Sequence, residues 1–157
     1  KRNFEYIFEA FKDERLSNFS LKIIGDEIES INIKNEILHK KINTEPFMSN
    51  KETIENITKA TYGLLVNNSS DLHSRIYTSP LKYFEYIKAN LKILALDVPA
   101  HRSLPFANEI SFFEEDNSES FIKAVLSAEK KKNKKNQSVD EYSLDNRVKK
   151  ILSFINS

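Results

Sequence analysis

Four short apolar runs of strand length recur along the chain, with stretches of helical spacing between them, and this alternation constrains the fold more than any other feature. The runs are residues 20–25, 62–66, 91–97 and 110–113. They read as continuous rather than alternating hydrophobic segments, which is the pattern of strands buried on both faces of a parallel sheet. Parallel neighbours need a crossover, and the intervening segments supply helices for it. The expected fold class is therefore α/β: a Rossmann-like parallel sheet with helices on both faces, formed by residues 1–157 as a single domain.

The helical segments follow from their apolar spacing and caps. Phe4, Ile7, Phe8 and Phe11 give one buried face over about residues 3–16. Ser49 or Asn50 caps a helix through about Lys59, with Glu52 near its positive end and Ile54 and Ile57 facing inward. Ser79-Pro80 starts another, running to about Ala89. Asn117 or Ser118 caps a helix carrying Phe121, Ile122, Val125 and Leu126, which ends in Lys130, Lys131 and Lys132. A polar break at 133–137 precedes a last helix over about 140–156, with Leu144, Val148, Ile151, Leu152 and Ile155 on one face. Residues 26–40 fit either period, with Glu36, Ile37 and Leu38 leaning helical.

Composition removes several function classes. The two glycines, Gly25 and Gly63, are too far apart for a Gly-rich phosphate loop. Without cysteine there is no disulfide, thiolate metal site or thiol nucleophile. Twenty-four basic against 23 acidic residues leave a net charge of +1, which offers no field for nucleic acid. No apolar run approaches the roughly 20 residues that span a bilayer, and no leader pattern opens the chain, so it reads as soluble, unexported and cytoplasmic. Its first residue is Lys1, not methionine, which fits a piece of a longer product. His39, His73 and His101 lack ligand spacing, and no metal site is expected. The Lys130–Lys135 run reads first as a solvated helix end, given the balanced charge, and otherwise as a contact for anionic lipid.

In a doubly wound sheet, ligands sit outside the carboxyl ends of the strands, which directs attention to residues 67–80 and the helix after them. Thr78-Ser79-Pro80-Leu81-Lys82 combines two hydroxyls, an ammonium and a helix N-terminus whose free amides, those of Leu81 and Lys82, suit an anion. The plain alternative is that Ser79-Pro80 is merely a good helix start. His73 and Arg75 precede this segment and face either the cleft or solvent.

The segment Tyr77-Thr78-Ser79-Pro80-Leu81-Lys82-Tyr83-Phe84-Glu85-Tyr86, continued by the apolar run into Leu96-Asp97-Val98-Pro99, resembles the donor-site motif of group 1 retaining glycosyltransferases of the GT-B fold. Lys1-Arg2-Asn3-Phe4, residues 20–25, residues 58–66, residues 114–121 and residues 142–147 resemble other elements of that family's C-terminal half, in the same order. The resemblance implies a nucleotide-sugar-binding domain, with the N-terminal acceptor domain of the enzyme absent from this chain. It implies that Lys1 contacts the donor diphosphate and that Glu85 binds the ribose hydroxyls. Thr78, Ser79, Leu81 and Lys82 would hold the sugar-diphosphate, and Pro46, Phe47 and Met48 would lie near the base. Phe47 and Met48 are equally readable as core residues, and Glu85 as a helix carboxylate paired with Lys82 or Lys88. The first of two family glutamates falls on Tyr77, a departure that bears on the donor sugar and on activity.

The activity so implied is sugar transfer from a nucleoside-diphosphate donor to a glycan or lipid-linked acceptor, as in bacterial polysaccharide biosynthesis. It proceeds without metal or cofactor, with Lys1, Lys82 and Glu85 in the catalytic set. The fragment alone would be inactive, and the full-length enzyme would associate peripherally with the inner face of the membrane. The alternative is a non-catalytic nucleotide or nucleotide-sugar binding module.

Overall fold

The computed structural model describes residues 4–25, 36–67, 71–77, 81–131 and 142–155. Along them run α1 (Glu5–Ala10), a 3-10 turn (Glu14–Leu16), β1 (Leu21–Ile24), α2 (Glu36–Lys41), β2 (Ile42–Glu45), α3 (Asn50–Lys59), β3 (Tyr62–Leu65) and α4 (Leu72–Ile76). They continue as α5 (Leu81–Lys88), β4 (Lys92–Leu96), α6 (Pro99–Arg102), a 3-10 turn (Ala107–Glu109), β5 (Ser111–Phe113), α7 (Ser118–Lys130) and α8 (Leu144–Ile155). Every strand pairing is parallel: β1 with β2, and β3 with β4 with β5. The chain is thus a Rossmann-like α/β fold, its strands gathered into a two-stranded and a three-stranded ladder.

Alternate residues of the strands feed two hydrophobic layers. Leu64, Leu94, Leu96 and Phe113 face one cluster with α1 and α7, where Phe11 and Phe113 pack their rings against Phe121. Leu65, Ile93, Ala95 and Phe112 face the other, under α5. The sheet is therefore covered on both faces, and β4, buried from Ile93 to Leu96, is its centre. The guanidinium of Arg15 donates to both Glu119 carboxylate oxygens at 3.0 and 2.6 Å and ties the first turn to α7. Its bonds to Asp13 hold that carboxyl at a pKa of about 2.

Several expectations are met by local chemistry. Ser49 and Glu52 form a reciprocal capping box at the start of α3, and Asn117 Oδ1 accepts from Ser120 N at 2.9 Å to cap α7. Other elements differ from the reading of the sequence. The helix expected over 3–16 stops at Ala10, because Asp13 accepts from the Arg15 amide at 2.8 Å and starts a separate turn. Ile54 is exposed, and only Ile57 of α3 is buried. The strand β2 and the short helix α4 carried no clear apolar signal. Of the β2 residues only Ile42 is buried, and α4 is held by Asp71 accepting from the amides of His73 and Ser74. Residues 26–35 and the break at 133–137 lie outside the described residues.

Gly63 is where helix meets sheet most closely. A Cβ there would lie 2.3–2.8 Å from three ring atoms of Tyr86 in α5, well inside van der Waals contact. Gly63→Ala is expected to lower stability by about 1–3 kcal/mol through overpacking, read as a fall in the urea midpoint with the m-value unchanged.

His101 in α6 is fully buried, with Nδ1 2.7 Å from the Leu96 carbonyl, so Nδ1 carries the proton and donates. Its Nε2 meets no hydrogen-bond partner among the described residues. Burial pulls the imidazole below its ordinary pKa of 6.5, against the smaller opposing effect of the Leu96 bond. The folded state therefore keeps His101 neutral where the unfolded chain takes up a proton. Stability is full above pH 6.5 and is lost as pH falls below it toward the folded pKa. His101→Asn keeps a donor for Leu96 and removes the titration. Urea melts between pH 8 and 5 should show a flatter pH dependence for the variant.

Candidate functional site

The chain winds outward from β1 to β2 on one side, and from β3 through β4 to β5 on the other. β1 and β3 border the gap between the two ladders, which runs from the amino ends of these strands, at Phe19 and Thr61, to their carboxyl ends, at Ile24 and Val66; ligands of open α/β sheets bind at the carboxyl ends beside such a reversal. There the two ladders part around a cleft of about 730 Å³, within the 300–1,000 Å³ range typical of small-molecule sites.

The walls of the cleft come from both ladders. Leu21 and Ile23 of β1 face Tyr62, Leu64 and Val66 across it, with Leu94 and Phe121 also lining it. Phe19 and Tyr62 approach to 5.7 Å between ring centroids. Burial and the Glu129 charge raise the Tyr62 pKa, so its hydroxyl stays protonated at neutral pH. Polar residues, among them Asn18, Lys22, Asn56, Lys59 and Tyr62, also line it, and some are linked. Lys22 Nζ donates to Asn56 Oδ1 at 3.0 Å, and Asn56 Nδ2 lies 3.4 Å from Met48 Sδ. This chain joins β1 to α3 and to the segment after β2.

The structure brings some of the sequence-derived residues together and leaves others apart. Phe47 and Met48, directly after β2, line the cleft, and so does Lys82 from the first turn of α5. Lys82 Nζ donates to Glu85 Oε2 at 2.9 Å, and the two side chains are 48% and 28% exposed. Such a pair three residues apart on a helix surface is worth a few tenths of a kcal/mol, so a ligand can take over either partner at little cost. Glu85, Pro46, Leu81 and Tyr77 do not line the cleft, and Leu81 and Tyr77 are 78% and 71% exposed. Lys1, Thr78 and Ser79 lie outside the described residues.

His73 and Arg75 are exposed, with the His73 ring 5.7 Å from that of Tyr77. Asp97 accepts twice from Arg102 at 2.7 Å, which lowers its pKa, and that guanidinium lies 4.0 Å over the Phe112 ring. The Asp-x-Pro sequence at 97–99 thus clamps α6 to the sheet and stands apart from the cleft.

Lys22, Asn56 and Tyr62 are site residues that sequence reasoning missed. No spacing rule joins them, because Lys22 reaches Asn56 of α3 and Tyr62 reaches Phe19 only through the tertiary arrangement. Among the described residues, no three His, Asp or Glu side chains converge as a metal-binding group, and no helix is long and apolar enough to cross a membrane. Comparison with family models and with curated proteins finds no match to this chain.

Proposed function

We propose that this chain is the nucleotide-sugar-binding half of a retaining glycosyltransferase that transfers sugar from a nucleoside-diphosphate donor to a glycan or lipid-linked acceptor. The observation that carries the reading is the cleft between β1 and β3. It gathers a flat aromatic and a thioether, Phe47 and Met48, with the cation Lys82 in one groove of ligand size. Apolar flat surfaces suit a nucleobase, and an ammonium beside a helix N-terminus suits a diphosphate. Glu85, one helical turn from Lys82 and outside the cleft lining, is assigned to the ribose hydroxyls by the resemblance alone.

In this reading, charge building on the departing diphosphate is met by Lys82, the head of α5 and Lys1, as fixed electrostatic stabilisation. The acceptor and its pocket belong to a second, N-terminal half. A non-catalytic nucleotide-binding module is the second reading, favoured by Tyr77. It stands where the family has a glutamate, and it is exposed and outside the cleft lining.

The test is thermal stabilisation by a panel of nucleoside diphosphates and nucleotide sugars, since a ligand that binds only the folded state raises its stability by mass action. One nucleotide should shift the melting temperature. Lys82→Ala should weaken that binding about 10–100-fold, the loss of a charged hydrogen bond, while leaving the unliganded melt nearly unchanged. Absence of any shift in the full-length protein would instead favour an α/β interaction domain. Binding without sugar transfer by the full-length protein would favour the non-catalytic module.

A further inference from the structure

The gap between the ladders is walled like the interior of a sheet. Phe4 and Phe11 of the α1 segment and Phe121 of α7 line it from one face, and Ile57 of α3 and Tyr86 of α5 from the other. Its remaining two sides are strand edges. Successive residues of a strand turn their amide and carbonyl toward opposite neighbours. The bond from the Gly25 amide to the Glu45 carbonyl therefore directs the backbone of Lys22 and Ile24 into the gap. The bond from the Lys92 amide to the Thr61 carbonyl likewise directs Tyr62, Leu64 and Val66 into it from β3. The amides and carbonyls of these five residues meet no backbone partner among the described residues. Both edges run the same way, with their amino ends at one mouth of the gap and their carboxyl ends at the other.

We propose that the gap is the seat of a further parallel strand, supplied by the polypeptide that precedes Lys1 in the full-length product, which joins the ladders into one sheet between β1 and β3. The helix layers support this placement. Crossovers between parallel strands are right-handed, so those that wind in opposite directions along a sheet lie on opposite faces. Tyr83 of α5, the crossover from β3 to β4, lies in one cluster, and Leu38 of α2, between β1 and β2, lies in the other. The α1 segment buries Tyr6, Ile7, Ala10 and Phe11 in the cluster that holds α2. That is the face required of a crossover that leaves a strand in the gap and enters β1, and Phe4 and Phe11 border the gap itself. A strand from another molecule would pair the same edges but leave α1 without the strand that its position implies. Covered on both faces, the occupant is a continuous apolar run of about the four residues that β1 and β3 each have. It fills the interior and leaves the carboxyl-end mouth open, where Phe47 and Met48 follow β2 and Lys82 follows β3. The inference is therefore independent of what binds at that mouth.

The test is amide hydrogen exchange, resolved to single amides by mass spectrometry, on residues 1–157 and on the full-length protein. The amides of Ile24, Leu64 and Val66 should be protected at least about 100-fold more in the full-length protein, as an edge becomes an interior strand. Leu64→Pro removes an amide that an edge strand can spare and a central one cannot. It should lower the melting temperature of the full-length protein more than that of residues 1–157. The proposal is overturned if no apolar run of strand length precedes Lys1 in the full-length sequence, or if these amides exchange equally fast in both proteins. It is also overturned if Leu64→Pro affects both melts equally, or if residues 1–157 form a dimer that protects the same amides.

Discussion

Tyr83→Ala is expected to remove about 4–5 kcal/mol of stability, near the top of the range for emptying an aromatic site in a core. The side chain is completely buried, packs in one cluster with Leu65, Ile93, Ala95, Leu104 and Ile110, and meets Phe84 edge-on at 5.3 Å. Its hydroxyl donates to the Pro105 carbonyl, and burial raises the phenol pKa well above its ordinary value. Its cluster neighbours are buried and Phe84, Tyr86 and Ile87 partly so, which limits how far water can fill the hole. Tyr83→Phe separates the two contributions: it keeps the ring, leaves the Pro105 carbonyl without its donor, and should cost about 1–2 kcal/mol. Urea unfolding followed by circular dichroism reads both. A Tyr83→Ala loss no larger than that of Tyr83→Phe would show that the ring contributes little. Because α5 also bears Lys82, the alanine variant should lose ligand response along with stability, unlike Lys82→Ala.

Phe121→Ala should have the next largest effect, about 3 kcal/mol, at the lower end of the same range. Phe121 is 2% exposed, meets Phe113 edge-to-face at 5.1 Å and packs against Phe11 at 6.2 Å, joining α7 to β5 and to the end of α1. It also lines the cleft. Space vacated there opens into the groove and can be wetted, so the penalty is smaller than at Tyr83, whose site does not line the cleft, although the rings are similar. Phe121→Leu, closer in volume, should cost under about 1.5 kcal/mol. Equal losses for Phe121→Ala and Tyr83→Ala would mean that the cleft is closed in solution. With total stabilities of about 5–15 kcal/mol, either alanine variant brings the domain close to its unfolding threshold.

Where an element was legible in the sequence, a local cause made it so. The strands β1, β3, β4 and β5 are runs of residues that suit burial, and α3 and α7 begin at side chains that cap their own amides. The elements that were not legible owe their form to partners distant in sequence. β2, from Ile42 to Glu45, is mostly polar and exists as a strand because β1 supplies its hydrogen bonds in register from Leu21↔Ile42 to Ile24↔Glu45. The first helix was expected to be longer because Phe11 continues its apolar face. The Asp13 carboxylate breaks it by bonding the Arg15 amide, a competition between side chain and backbone that periodicity does not register.

The candidate site divides in the same way. Lys82 stood out because it sits beside a helix start and Glu85 only through the resemblance, and their mutual ion pair at 2.9 Å follows from three-residue spacing alone. Lys22, Asn56 and Tyr62 did not stand out, since each is unremarkable in its own segment. The sequence by itself indicated a parallel α/β fold from its apolar strand runs; the β3–β4–β5 ladder is covered on both faces, whereas β1 has no buried residue. It also drew attention to the start of α5 as a candidate site. Only the tertiary structure decided that the strands part between β1 and β3 and that Phe47, Met48 and Lys82 meet in the resulting groove. The physical reason is one of range: caps, periods and neighbouring charges act over a few residues, whereas a cleft is made by the spacing of two ladders about forty residues apart in the chain.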